Sequence, residues 1–224
     1  MGVRLVLLGA PGSGKGTLAT QLDERLSMVS LSTGELFRQA IRRKTALGKA
    51  VQAYVSTGGL VPDELVVKLM TSRVTPRLLT RGFVLDGFPR TVGQAQGLSQ
   101  YLERVKKPLH GACYLACTTI VLIARLSGRR VCPDCSAIYH LRNMPSMRRG
   151  VCDRCGGHLI TRKDDHVATI RRRLAVDHKE SKPLLDFYKR HRLLVTINGD
   201  GDSETVYTRA MKVFRRHGWA SQRS

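Results

Sequence analysis

Val3-Arg4-Leu5-Val6-Leu7-Leu8-Gly9-Ala10-Pro11-Gly12-Ser13-Gly14-Lys15-Gly16-Thr17-Leu18 is the stretch that decides the fold. The apolar run Arg4 to Leu8 reads as a buried strand, and Leu18, Leu22 and Leu26 recur at helical spacing, so Val3 to Leu26 is strand, loop, helix. Between them lie a glycine, four residues and Gly-Lys, followed by Gly16 and Thr17. Glycines let the backbone curl until successive N–H groups and the helix N-terminus face one phosphate, and Lys15 can reach the outer oxygens. The plainer reading is a glycine turn. The strand before it and the helix after it supply the context for a phosphate cradle made by Gly12, Ser13, Gly14, Lys15, Gly16 and Thr17.

Outward from that motif, short apolar runs alternate with helical patterns, the signature of a parallel sheet wrapped by helices. Strands are expected at Arg4 to Leu8, Val29 to Leu31, Phe83 to Leu85, Ala112 to Leu115 and Leu194 to Ile197. Two stretches interrupt the alternation, 32 to 75, which reads as entirely helical, and 126 to 164, rich in cysteine, arginine, glycine and proline. Both are expected as insertions over the carboxyl edge of the sheet, where open α/β folds bind ligands. The basic, polar end from Arg215 to Ser224 is expected to fray.

The chain has 224 residues, 42% apolar and 25% charged, which suits one soluble globular domain. No apolar run is long enough to span a bilayer, and the apolar start runs into the glycine loop with no cleavage region, which argues against a signal peptide. Lys and Arg number 38 against 17 Asp and Glu, a net +21 that attracts nucleotides and other polyanions. Arg42-Arg43-Lys44, Arg171-Arg172-Arg173 and Arg215-Arg216 read as solvated helix faces. Six cysteines, four of them in two close pairs, fit a reducing compartment and a metal better than a secreted disulfide framework. The cytoplasm or an organelle matrix is the expected location, and a monomer the expected state.

Gly82 to Arg90 is an apolar strand ending in Asp86, then a tight turn carrying Arg90. A carboxylate there, beside the cradle, suits Mg²⁺ or a water bound to it. Arg90, Arg125, Arg129 and Arg162 read as loop arginines, whose planar guanidiniums bind phosphate oxygens and neutralise a moving phosphoryl group. Cys132-Pro133-Asp134-Cys135 and Cys152-Asp153-Arg154-Cys155 are two C-x-x-C knuckles that can close a tetrahedron on structural Zn²⁺, with disulfides or a redox pair as the alternatives. Cys113 and Cys117 read as core thiols, and His178, His191 and His217 are assigned no chemistry.

These motifs, with Leu31 to Arg38, Gly59 to Glu64, Gln94, Arg125 to Arg130 and Thr161 to Asp165, occur in an order and spacing that resembles the adenylate kinase family of the long, zinc-bearing lid type, from Val3 to about Phe214. The resemblance implies a P-loop NTPase-type α/β fold, a five-stranded parallel sheet with helices on both faces. It implies a core of 1–31, 62–125 and 164–214, a helical monophosphate-binding insertion at 32–61, a zinc-ribbon lid at 126–163 and a flexible tail at 215–224. ATP would lie on Gly12 to Thr17 with Arg125, Arg129, Ile138, Tyr139 and Gly201. AMP would fall to Thr33, Arg38, Gly59, Leu60, Val61, Gly87, Phe88, Pro89, Arg90, Gln94, Arg162 and Arg173. The catalytic set implied is Lys15, Asp86, Arg90, Arg125, Arg129, Arg162 and Arg173, with Mg²⁺ accompanying ATP. Thr33 and Gln94 favour AMP as acceptor. Glu35 stands where the family usually has Asp, Ser136 follows the first knuckle where glycine is common, and Arg142 to Pro145 is an altered lid segment.

The expected activity is in-line phosphoryl transfer from MgATP to AMP with no covalent intermediate. Two alternatives stay open, a P-loop kinase with another monophosphate or small alcohol as acceptor, and a basic zinc-containing nucleic-acid binder with vestigial kinase motifs. Against the latter stand the full set of phosphate-site residues and an aromatic content of 5%.

Overall fold

A computed structural model describes residues 2–220, the side chain of Lys163 excepted. Its strands are β1 (Arg4–Leu8), β2 (Val29–Ser32), β3 (Phe83–Asp86), β4 (Gly111–Ala116), β5 (Arg129–Val131), β6 (Ile138–His140) and β7 (Leu194–Asn198). The α-helices are α1 (Lys15–Leu26), α2 (Thr33–Arg42), α3 (Ala46–Thr57), α4 (Asp63–Arg73), α5 (Pro76–Arg81), α6 (Val92–Arg104), α7 (Thr119–Gly128), α8 (Val167–Arg190) and α9 (Ser203–Arg216). The five strands expected from the apolar runs form one parallel sheet in the order β2-β3-β1-β4-β7.

Side chains of β1 alternate between two cores, because successive residues of a strand point to opposite faces. Val6 and Leu8 join Phe83, Leu85, Leu98 and Tyr188 on one face, beneath α2 to α6 and α8. Leu5 and Leu7 join Leu18, Leu22, Ala210 and Phe214 on the other, beneath α1 and α9. Covered on both sides, β1 is buried along its whole length, which is why its sequence is a continuous apolar run rather than an alternating one.

Helices α2, α3, α5, α6 and α9 begin at side-chain caps that the sequence carries openly. Ser32 accepts from the Glu35 amide, Thr91 from that of Gln94 and Asp202 from that of Thr205, each satisfying a first-turn donor. The stretch from 32 to 75, expected to be helical, is three helices with short breaks. Helix α7 runs to Gly128 with Leu126 fully buried beside the glycine loop, so the first three residues of the segment expected as a lid, 126–163, are helical. Within it β5 and β6 pair antiparallel, and Cys132, Ala137, Tyr139 and Cys152 make a small core with Leu159. Tail residues 215–220 are held, since α9 continues to Arg216. The Trp219 ring packs edge-on to Phe214, 5.7 Å between centroids, and against Gly111. The expected tail residues 221–224 lie outside the described residues. Among the described residues no helix is long and apolar enough to cross a membrane.

Candidate active site

The cradle follows β1, the central strand, at its carboxyl end. Gly12 has φ +87, and a Cβ there would fall 2.9 Å from Leu126 Cγ and 3.0 Å from the Leu122 carbonyl oxygen. Only glycine lets the loop turn this way with α7 lying against it. Lys15 opens α1, and its ammonium donates to the Ala10 carbonyl at 2.9 Å, to the Gly9 carbonyl and to Ser13 Oγ at 3.3 Å. Burial pushes Lys15 down to about 8, opposed by the carboxylates of Asp86 and Asp177. Asp86 ends β3, in register with Leu7 of β1, and lines the same cleft as Thr17.

That cleft holds about 960 Å³ and runs from the glycine loop beneath the lid to a smaller pocket of about 70 Å³ between α2, α3 and the turn after β3. Arg125 donates to the Ser13 carbonyl at 3.1 Å and to the carbonyls of Gly199 and Gly201 at 2.8 and 2.6 Å. Arg129 makes a fork to Asp165, Nε at 2.7 Å and Nη2 at 2.5 Å. Arg173 pairs with Asp164 at 2.9 Å and with Asp165 at 3.2 Å. Burial, with the neighbouring cations Arg38 and Arg129, pushes Arg162 down to about 9; burial likewise lowers Arg173 to about 10. Burial opposes ionisation of Asp164, yet Arg173, Arg38 and Arg162 outweigh it and hold its carboxyl below the usual range.

In the smaller pocket Thr33 Oγ1 donates to the Gly87 carbonyl at 2.8 Å. Gln94 accepts from the Arg90 amide at 2.8 Å and donates to Asp63 at 2.8 Å, while Thr91 donates to the other Asp63 oxygen at 2.7 Å. Gln94 is thereby locked in place. Arg38, Gly59, Leu60, Val61, Gly87, Arg90 and Arg173 also line it.

A family model described as adenylate kinase matches residues 7–193. The chain is 42% identical over 197 residues to the adenylate kinase of Caldicellulosiruptor bescii, covering 88% of this chain and 92% of that one. It is 40% identical over 205 residues to that of Bacillus cereus strain AH187 and 42% identical over 205 to that of Geobacillus sp. strain WCH70, in both cases across 92% of this chain and 95% of the relative. This chain belongs to the adenylate kinase family.

The structure brings the residues carried over from the adenylate kinase resemblance to one cleft or its side pocket, Ile138, Tyr139, Gly201, Pro89 and Arg162 among them. Phe88 differs, being fully buried in the core and lining neither. Three placements correct the sequence reading. Arg125 lies in helix α7 and Arg129 opens β5, so only Arg90 and Arg162 of the four are loop arginines. Arg171 and Arg172 are exposed, but Arg173 turns inward with 12% of its side chain accessible. Cys113 is a buried core thiol, whereas Cys117 is half-buried, its Sγ 3.6 Å from both the Ser13 carbonyl and Arg125.

Sequence reasoning gave Asp164 and Asp165 no role. Their signal was available, an Asp pair following the loop arginine at a site crowded with cations that need counter-charge. Asp63 and Asp177 were missed as well. Asp177 stands four residues after Arg173, hence on the same face of α8, and it lines the cleft.

The four knuckle cysteines form no disulfide, and their sulfurs all lie within 4.8 Å of one another. Cys132 to Cys155 and Cys135 to Cys152 are 3.4 Å apart. A tetrahedral ion with sulfur at about 2.3 Å would separate ligands by about 3.8 Å, so the donor set fits such a metal. Each knuckle closes by the same pair of bonds, Cys132 N to Ala137 O with Ser136 N to Cys132 O, and Cys152 N to Gly157 O with Gly156 N to Cys152 O. The Tyr139 hydroxyl, which accepts from the Asp153 amide, hydrogen-bonds Cys152 and draws its thiol down to about 6. His191 caps α8 and His217 stacks on Trp219, structural positions both.

Proposed function

We infer that the chain catalyses reversible transfer of the terminal phosphoryl group of MgATP to AMP, giving two ADP. One observation carries this reading. A single cleft joins the glycine loop to a second, smaller pocket, and Arg90 and Arg173 line both while Arg129 and Arg162 line the cleft. Two nucleotides entering from the two ends would meet phosphate to phosphate among these guanidiniums.

In this reading the amides of Gly12 to Thr17 and the N-terminus of α1 hold the ATP phosphates, with Lys15 swinging from loop carbonyls to phosphate oxygens. Arg125 fixes the loop against the Gly199–Gly201 segment, where Ile138, Tyr139 and Gly201 receive the base and ribose. Thr33, Arg38, Gln94 and the Gly59–Val61 and Gly87–Arg90 segments receive AMP. Thr17 and Asp86 would hold Mg²⁺, which would supply charge neutralisation on the donor phosphates. The remaining catalysis is positioning and electrostatic stabilisation by arginines whose direction is already set by Asp164 and Asp165.

The insertion 32–61 and the lid close over the core as units. The lid meets the core through an Arg154–Glu24 ion pair and the insertion through an Arg42 bond to the Pro133 carbonyl. Exposed pairs of this kind contribute about 0–1 kcal/mol, so closure is easily reversed at each turnover. The four thiols hold structural Zn²⁺, and the chain works as a monomer in a reducing compartment, the cytoplasm.

A coupled assay for ADP formation, run with ATP and a panel of AMP, GMP, UMP and CMP, tests the reading. AMP is expected to be strongly preferred, and Lys15→Met to lower the rate by at least about 10³-fold without changing the melting temperature. A preference for another base would overturn the acceptor; a fully active Lys15→Met variant would overturn the cradle.

A further inference from the structure

The net charge of +21 has no use in the cleft alone, and the structure shows where much of it goes. All five sheet strands run parallel, so the segments that feed their starts gather on one edge. The registers Arg4 with Phe83, Leu5 with Gly111 and Ala112 with Leu194 place the entrances of β3, β1, β4 and β7 side by side, at spacings of about 4.8 Å. Arg4 ties these segments together beneath the surface, donating to Gly2, Leu79 and Pro108 carbonyls at 2.9, 3.1 and 2.9 Å. Trp219 on Gly111 brings the end of α9 to the same edge.

The segments 73–82, 103–110, 186–193 and 215–220 carry three, three, three and two Lys or Arg, against Glu103 and Asp186 alone. Arg81, Lys106, Arg192, Arg215 and Arg216 are exposed, and none has a carboxylate within ion-pair distance among the described residues. One cation per helix end would satisfy the helix dipoles. Lys106 and Arg192 lie beyond α6 and α8, in the left-handed conformation with φ +53 and +56, closing their helices by bonds from Lys107 to Leu102 and from Leu193 to Tyr188. That position favours glycine or asparagine on conformational grounds. Here it holds a cation on both helices.

We propose that this amino edge of the sheet is a docking surface for the phosphate backbone of duplex nucleic acid, used while the kinase cleft at the opposite edge stays open. Strand β1 separates the two by five residues, about 15 Å. The large exposed apolar residues lie on α3, α7, the lid and the start of α8, none in the segments entering the strands, so this edge has nothing to insert into a bilayer. It also lacks a row of aromatic rings for unpaired bases, which leaves phosphates as the recognised group and makes binding independent of sequence.

Fluorescence anisotropy with labelled 16-base-pair RNA and DNA duplexes of one sequence tests this on the full chain. Neutralising about six phosphates predicts a slope near −5 in log K against log salt. The variant Arg81→Ala/Lys106→Gly/Arg192→Gly removes three charges and gives two left-handed positions the residue they favour, so its melting temperature should hold or rise. It is expected to bind at least 10-fold more weakly with a slope shallower by about 3, with kinase activity unchanged, while Arg43→Ala/Lys44→Ala/Lys49→Ala, in the turn after α2 and on α3, changes binding little. RNA or DNA preference would name the natural duplex. Equal losses in both triple variants, displacement of duplex by saturating ATP and AMP, or tighter binding to phosphatidylserine vesicles than to duplex would each overturn the proposal.

Discussion

In the proposed role of holding phosphate Lys15 must be charged, yet its burial favours the neutral amine. Since the free enzyme's ammonium titrates near 8 rather than in the usual lysine range, kcat/KM for ATP should fall as pH rises through about 8. Bound phosphates restore the proton, so kcat should stay level over the same range. A pH–rate profile separating the two parameters checks this, and a flat kcat/KM up to about pH 9.5 would contradict it. Ser136 offers a second test at this scale. It takes the left-handed position with φ +62 that Gly156, with φ +74, takes in the matching knuckle. Ser136→Gly is expected to stabilise the chain by about 1 kcal/mol, measured by urea unfolding, because glycine reaches that conformation without a Cβ penalty. Ser136 was legible as a departure from a pattern, but its cost became visible only with the backbone angle.

At the scale of elements, the 3₁₀ turn Lys163–Asp165 links lid to α8 and anchors two arginines from different elements. The Asp165 side chain is fully buried, and removing one partner of a buried pair strands the other. Asp165→Ala should cost about 3 kcal/mol of stability and at least about 10²-fold in kcat, read by thermal melting and steady-state kinetics. The zinc proposed for the four thiols would hold the lid in the same all-or-none way. Its core is four side chains and Leu159, too little to fold alone, so chelation should unfold residues 129–160 and abolish activity while the parallel sheet keeps its circular dichroism. Strands were the easiest elements to read, since β1 and β3 are apolar runs that glycine punctuates and β4 is an apolar run opening on Gly111. Arg125 was misplaced in a loop because α7, Thr-Ile-Val-Leu-Ile-Ala, leaves Ile120 and Ile123 exposed as well as burying Leu122, and so hides its period.

For the molecule as a whole, +21 on one compact chain is self-repelling. Four ion-paired arginines cannot balance it, so added salt should stabilise by screening. The melting temperature is expected to rise by several degrees between about 20 and 200 mM NaCl, whereas a fold held mainly by ion pairs would soften. The sequence announced this excess but not its placement, because only the parallel order of the strands gathers Arg81, Lys106 and Arg192 onto one edge. Asp63 was hidden for a related reason. It finds Thr91 and Gln94 through contacts 28 and 31 residues away in the chain, which neither period nor motif records.

Trp219, the chain's one tryptophan, rests on Gly111 at the sheet's edge and against Phe214, far from lid and cleft. The protein therefore carries its own optical gauge. Its indole emission will redden when α9 leaves the sheet and stay unmoved through nucleotide exchange or metal loss, so a single fluorescence trace can tell collapse of the core from events confined to the lid.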